Sequence, residues 1–104
     1  RIYDKGFFMV NLGVSFAQTG TDTVIWTFRI AHDIDGAGAT YPGYDAAVQR
    51  AVATLENMVS ISGIIDTTGH TTYTDVLAQV KNGHASNSEN FQMHYGQMSV
   101  FRVG

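Results

Sequence analysis

The chain has 104 residues, which suits one domain with a single core, and its hydrophobic content of 44% excludes a disordered or collagen-like polypeptide. Charged residues account for 14% of the sequence and the formal net charge is -3. The six basic residues are scattered, so we expect no nucleic-acid partner, because such binding needs clustered Lys and Arg. Without cysteine there is no disulfide or thiolate metal site. No apolar run approaches the roughly 20 residues of a membrane span, so we expect no membrane partner.

The first part of the chain contains two segments with a hydrophobic period of two. Apolar residues occupy the even positions from Phe8 to Phe16, and again from Val24 to Ile34 with His32 as the exception. This alternation predicts two half-buried strands, each with one apolar face. Residues Thr19–Asp22 predict a turn between them, so we expect the two strands to pair as an antiparallel hairpin.

A loop is predicted from Asp35 to Asp45, because this stretch carries three glycines and the only proline. Tyr41 and Tyr44 lie in it, on either side of a Pro-Gly pair. Two interpretations remain open for these tyrosines. Either they form a binding surface for a sugar or a partner protein, or they pack over the mouth of the barrel.

The segment Ala46–Glu56 fits two structures. Val48, Val52 and Leu55 are spaced like one face of a helix, and the alanines nearby favour a helix. From Val59 onward the residues alternate as in a strand. Helix and strand both remain open for this segment.

The remaining segments predict strands, and the last of them predicts an irregular one. "SISGIID" and "YTDVLAQVKNG" alternate like the first two segments. In the terminal "NFQMHYGQMSVFRVG", apolar residues occupy odd positions up to Tyr95 and even positions from Met98. This change of phase predicts a β-bulge at Gly96, since one extra residue reverses the facing of all later side chains. Because the stretch is apolar on both faces, we expect it to be an inner strand.

Five or six strands without a βαβ rhythm predict an all-β fold, an antiparallel sandwich or barrel. A two-sheet sandwich leaves open strand edges, which a trimer or a missing strand would have to cover. The sequence starts at Arg1 without a methionine. We therefore expect a single domain, residues 1–104, that forms the C-terminal part of a longer protein.

The segment "HDIDG" contains the best candidates for metal ligands, namely His32, Asp33 and Asp35. A calcium loop would carry a third oxygen ligand where Ala37 stands and a glutamate where Tyr44 stands. The favoured interpretation is therefore a turn that begins at Asp35, with His32 on the apolar face of the preceding strand. We predict no metal site and no cofactor.

The other histidines predict no catalytic site. His70, His84 and His94 lie far apart without ligand spacing, and we expect the first two to be solvated in loops. The sequence contains no Gly-x-Ser-x-Gly, phosphate-loop or His-Glu-x-x-His motif. We therefore predict no catalytic residues and no enzymatic activity.

Taken together, these segments resemble the tumour-necrosis-factor-like jelly roll of the complement globular-head family. "KGFFMVNLGVSFAQTGTDTVIWTFRIAHDIDG" has the family's Gly-x-aromatic-x-Val start at residues 6–10 and its Asp-Gly pair after the second strand. "SISGIIDTTG", "VLAQVKNG" and "FQMHYGQMSVFRVG" resemble its last three strands, in the form found in bacteriophage virion proteins. Three departures stand out. Gly69-His70 and extra residues before Tyr73 replace the usual Gly-Asp, and the loop from Asp33 to Asp45 is long. We also expect the family's first strand to be missing ahead of Arg1.

The resemblance implies an antiparallel jelly-roll sandwich that assembles as a homotrimer around a threefold axis. It also favours a strand for residues 46–54. The expected trimer interface lies in the last strand and consists of Phe91, Met93, Tyr95, Met98 and Phe101.

The function that we expect is that of a bacteriophage structural protein on the virion surface, a trimeric knob that decorates or cements the capsid and contacts other virion proteins. The alternative is a tail-fibre or spike tip, or a head-fibre module, that binds a host receptor or glycan through Tyr41 and Tyr44. A sugar-active enzyme or a metal-binding jelly roll has the least support, because the motifs for either are missing.

Overall fold

The computed structural model describes residues 1–19, 24–40, 48–51, 56–83 and 91–104, and for 48–51 it describes the backbone alone. These residues contain seven β-strands and no helix. The strands are β1 (Phe7–Gln18), β2 (Val24–Ile34), β3 (Ala39–Thr40), β4 (Val48–Ala51), β5 (Asn57–Asp66), β6 (Thr74–Asn82) and β7 (Phe91–Arg102). The prediction of an all-β fold is confirmed.

The open question of helix or strand is answered as strand for Val48–Ala51. Residues 46–47 and 52–55 of the same predicted segment lie outside the described residues.

The strands form two antiparallel sheets, an arrangement compatible with a β-sandwich. In sheet A, β2 is central, with β6 along one side and the short strands β3 and β4 along the other. In sheet B, β1 is central between β5 and β7. The first long strand of the chain is thereby hydrogen-bonded to the last one.

The predicted hairpin of the first two strands is wrong, although both strands exist. β1 belongs to sheet B and β2 to sheet A, so the two strands face each other across the core instead of pairing. Each strand has a full row of large apolar side chains on one face. Placing the rows in opposite sheets lets them bury each other, whereas a hairpin would leave both rows on the same side.

The core lies between these two rows, with Phe16 at its centre. The Phe16 ring contacts Phe28 and Phe91 with centroids 5.1 and 5.0 Å apart, and it meets Trp26 edge-on at 6.5 Å. The indole N–H of Trp26 donates to the Gln18 side-chain oxygen at 3.0 Å, which satisfies the one polar group that Trp26 brings into the core.

Strand β7 differs from its prediction in two ways. The bulge lies at His94 instead of Gly96, because Ser15 pairs with Tyr95 and Phe16 with Met93, so that His94 has no partner on β1. In addition, β7 is an edge strand of sheet B among the described residues, and not an inner strand. The prediction failed because apolar residues on both faces do not reveal which neighbours a strand has.

The two chain ends meet beside the turn that follows β5. The buried Thr67 hydroxyl donates to the Asp4 carbonyl at 2.8 Å and accepts from the Gly6 N–H at 2.9 Å. The Phe7 N–H donates to the Gly104 carbonyl at 2.8 Å. A Cβ at Gly6 would lie 2.5 Å from that carbonyl oxygen, so only glycine permits this approach.

Candidate interaction surface

The "HDIDG" segment forms a turn, as the favoured interpretation predicted. The N–H of Ala37 donates to the Ile34 carbonyl at 3.0 Å, and Asp35 and Gly36 between them have φ angles of 54° and 77°. Positive φ at both central residues is the mark of a type I′ turn.

The Asp35 carboxylate is occupied by hydrogen bonds from residues 71–73. It accepts from the backbone N–H groups of Thr71, Thr72 and Tyr73 and from the hydroxyls of both threonines, at 2.7–3.1 Å. These donors, the N–H groups of Thr71 and Thr72 first, hold the pKa of Asp35 far below its usual range. The carboxylate therefore connects two turns of the fold, which explains its place in the sequence without a cation.

His32 lies near the end of strand β2, on the inward, apolar face of that strand, as the favoured interpretation predicted. Its Nε2 is 3.0 Å from the Thr40 hydroxyl, and its Nδ1 is the buried polar side-chain atom for which the described residues supply no partner. The described residues contain no cluster of three or more His, Asp or Glu side chains that could hold a metal ion.

His70 corrects an expectation, because it is buried and not solvated. Its Nε2 lies 3.0 Å from the carbonyl of Tyr3 and its Nδ1 lies 2.8 Å from the Thr74 hydroxyl. Since a carbonyl can only accept, Nε2 carries a proton and donates to Tyr3. His70 thereby ties the first residues of the chain to the start of β6.

Three polar residues that are typical of hydrolase sites meet at one end of sheet B, but in the wrong order. Glu56 accepts from the Ser15 hydroxyl on one side and lies 2.6 Å from His94 Nδ1 on the other. In a catalytic triad the histidine stands between the serine and the acid, so that it can take the serine proton. Here the carboxylate stands between them, so the Ser15 hydroxyl donates to Glu56 and not to a histidine. The hydrogen bond from Ser15, followed by that from His94, lowers the pKa of Glu56.

The outer face of sheet B is formed by four rows of side chains that cross the three strands. In the first row Met9 lies between Ile64 and Phe101. In the last row Ser15 lies between Met58 and Tyr95. Phe101, Tyr95 and Met58 are 50%, 61% and 76% exposed. This face therefore presents exposed apolar and aromatic side chains at each end.

The two middle rows of the outer face of sheet B are polar and neutral. Asn11 lies between Ser62 and Ser99, and Gly13 lies between Ser60 and Gln97. The four rows contain no Lys, Arg, Asp or Glu. Charged side chains begin only beyond the rows, at positions 56 and 66. Depletion of charged residues, together with exposed aromatic residues and Met, is typical of protein–protein interfaces.

The five predicted interface residues occupy three different places. Tyr95 and Phe101 lie on the outer face of sheet B. Met93 and Met98 pair with core-facing residues of β1, yet they are 61% and 41% exposed because they line an open side of the sandwich. Phe91 packs in the aromatic core and is left out of the proposed surface.

The predicted loop surface of Tyr41 and Tyr44 lies outside the described residues.

The sequence analysis did not identify Met9, Met58 and Ile64 as surface candidates, because the core-facing residues of β1 and β5 form a stronger apolar pattern than the residues of the opposite face. The available signal was that apolar residues also occur at the outward-facing positions near both ends of these strands.

Comparison of the chain with protein-family models, with curated proteins and with solved structures finds no match. In the part of the chain that the structure describes, no helix has the length and apolar character needed to cross a membrane.

Proposed function

We propose that this chain is a non-enzymatic structural module that self-associates through the outer face of sheet B. The observation that carries the proposal is the neutral composition of that face, with exposed apolar and aromatic side chains at both ends. Met58 and Tyr95 expose more than half of their surface, and burial of such side chains drives association. A lone domain gains nothing from this exposure, whereas a second copy could cover it.

The proposed assembly is a homotrimer of jelly-roll domains on a bacteriophage particle, where the trimer decorates or cements the capsid. The resemblance of the sequence to jelly rolls of virion proteins suggests three copies, and the pairing of β1 with β7 in one of two sheets supports that fold. Only 14% of the residues are charged, which suits a protein with large contacts to other chains.

Light scattering after size exclusion tests self-association. We expect the protein to elute at about 34 kDa, the mass of three copies of the 11.3 kDa chain. Ile64→Asp and Tyr95→Asp each place a charge on the outer face of sheet B, so both should give monomers or aggregates. Ile25→Asp is the matched control, because Ile25 and Ile64 are 42% and 37% exposed but Ile25 lies on sheet A. A monomeric parent protein, or a Tyr95→Asp variant that stays trimeric, would contradict the proposal.

Labelling of purified virions with an antibody against this chain tests the location. Decoration predicts label at threefold or quasi-threefold positions of the capsid. Label on the tail alone would overturn decoration and favour the host-binding alternative.

A further inference from the structure

The sandwich is open along the side where β6 and β7 run. Each of these strands is bonded to its neighbour on one side only, apart from a single bridge to Ile2, among the described residues. Many of the side chains that line this open groove are apolar, and four of them are 39–61% exposed: Val80 on β6, and Met93, Met98 and Val100 on β7. The wider end of the groove, near Ile2, encloses about 510 Å³.

The chain itself shows how this groove is filled. The Ile2 N–H donates to the Thr74 carbonyl at 2.8 Å, and the Thr74 N–H donates back to the Ile2 carbonyl at 2.9 Å. This reciprocal pair is the unit of an antiparallel ladder. The Ile2 side chain enters the groove and is 9% exposed, so one added residue already buries its apolar side chain there.

The same bridge determines where an added strand would continue. Backbone groups of alternate residues point to the same side of a strand, so the N–H and C=O groups of Val76, Ala78 and Val80 point to the free edge like those of Thr74. Their side chains also face the groove, since they pair with inward-facing residues of β2. A strand in line with Ile2 therefore meets an apolar floor and backbone groups that have no partner among the described residues.

Charged residues at the two ends of β6 favour one direction and one charge pattern for an added strand. The Arg1 guanidinium binds the Asp75 carboxylate at 2.8 and 3.1 Å and lies 3.9 Å from the centre of the Tyr73 ring, which fixes the strand direction at this end. Lys81 is exposed at the other end. An acidic residue opposite Lys81 would complete a complementary pattern.

We propose that the free edge of β6 binds an extended polypeptide strand, which runs antiparallel to β6 in line with Arg1–Tyr3. The bound strand carries apolar side chains opposite Val76, Ala78 and Val80, polar ones opposite Leu77 and Gln79, and an acidic one opposite Lys81. This is strand addition, in which main-chain hydrogen bonds give affinity and alternate side chains give specificity. The occupant is a strand and not a second folded copy, because Ile2 already defines a one-strand path.

The test joins such a strand to the complete chain. One variant carries the six residues EVTVTI immediately before Arg1, which places Ile and both Val residues toward the groove and Glu opposite Lys81. The control carries VTVTIE, which has the same composition but points its apolar residues outward. Amide hydrogen exchange is followed by NMR in both variants and in the unextended protein.

We expect EVTVTI to slow exchange of the Val76, Ala78 and Val80 amides by at least about 100-fold, as hydrogen-bonded strand amides do. VTVTIE should leave these rates unchanged. The Leu77 and Gln79 amides point toward β2 and should be protected in all three proteins, which shows that the fold is intact. Equal protection by both extensions, no protection by either, or protection in the unextended protein that rises with its concentration would overturn the proposal. The last outcome would indicate a second copy in the groove.

Discussion

The Asp35 carboxylate binds Thr72 twice, since its Oδ1 accepts from the backbone N–H at 2.8 Å and from the hydroxyl at 2.7 Å. With the bonds from Thr71 and Tyr73, this contact joins the turn after β2 to the turn before β6.

Asp35→Asn should lower the melting temperature at pH 7 by several degrees, because the amide group keeps only one accepting oxygen and directs two N–H donors at donors. The measurement is thermal unfolding by circular dichroism. Asp4→Asn is the control, since Asp4 is an exposed aspartate, and it should leave the melting temperature unchanged.

Acid should destabilise the protein partly through Asp35. The folded state holds the pKa of this carboxylate below its value in the unfolded chain. Its stabilising effect is therefore complete above the unfolded pKa of about 4 and is lost as the pH falls toward the folded pKa. Melting temperatures between pH 7 and pH 2 should drop less in Asp35→Asn than in the parent protein. If the melting temperatures of the two proteins fall equally with pH, this role of Asp35 is contradicted.

Thr67→Val should lower the free energy of unfolding by about 1–3 kcal/mol, because it leaves the buried N–H of Gly6 and carbonyl of Asp4 without their shared partner. Urea unfolding measures this change. Thr67→Ser keeps the hydroxyl, so the Gly6 amide should exchange slowly in Ser and rapidly in Val. Rapid exchange in both would show that the hydroxyl is not the stabilising group.

Gly6→Ala should lower the free energy of unfolding by about 1–3 kcal/mol, since its new methyl group would displace the Gly104 carbonyl from the Phe7 N–H. Gly69→Ala is the matched control, because a Cβ there meets no heavy atom within 4 Å and Gly69 lies in a turn outside the outer face of sheet B. It should change stability by about 0.5 kcal/mol or less in urea unfolding. An equal cost at both positions would indicate a general effect of glycine and not this close approach.

Phe16→Ala should lower the free energy of unfolding by about 3–5 kcal/mol, because it empties the centre of the aromatic core. Phe7→Ala removes a phenylalanine that is 45% exposed on the same strand and should cost about 1 kcal/mol. Chemical denaturation of both variants makes the comparison. A similar loss of unfolding free energy in the two variants would show that Phe16 is not at the centre of the core.

The strands could be predicted from the sequence because half-burial produces a period of two, as between Phe8 and Phe16. The pairing partners of the strands could not be predicted, since an apolar row shows that a strand has a buried face but does not show which sheet the strand joins. The turn at Asp35 was predictable from the Asp-Gly pair. The hydrogen bonds of the Asp35 carboxylate with Thr71 and Thr72 were not predictable, because they connect residues about 36 positions apart.

The candidate surface was predicted in part. Tyr95 and Phe101 were found because the last strand is apolar on both faces. Met58 and Ile64 were missed because Ser60 and Ser62 lie between them on the same face of β5, so that face shows no continuous apolar row. Only the register of β5 against β1 brings them into line with Met9 and Ser15.

The pairing of β1 with β7 affects how the protein folds. Gln18 pairs with Phe91 and Phe8 with Arg102, so the hydrogen bonds along this edge of β1 join residues that lie far apart in sequence. Contacts this distant in sequence form slowly. Until β7 docks, a partly folded chain keeps this edge of β1 unpaired beside its apolar row, and such an exposed edge is prone to aggregate.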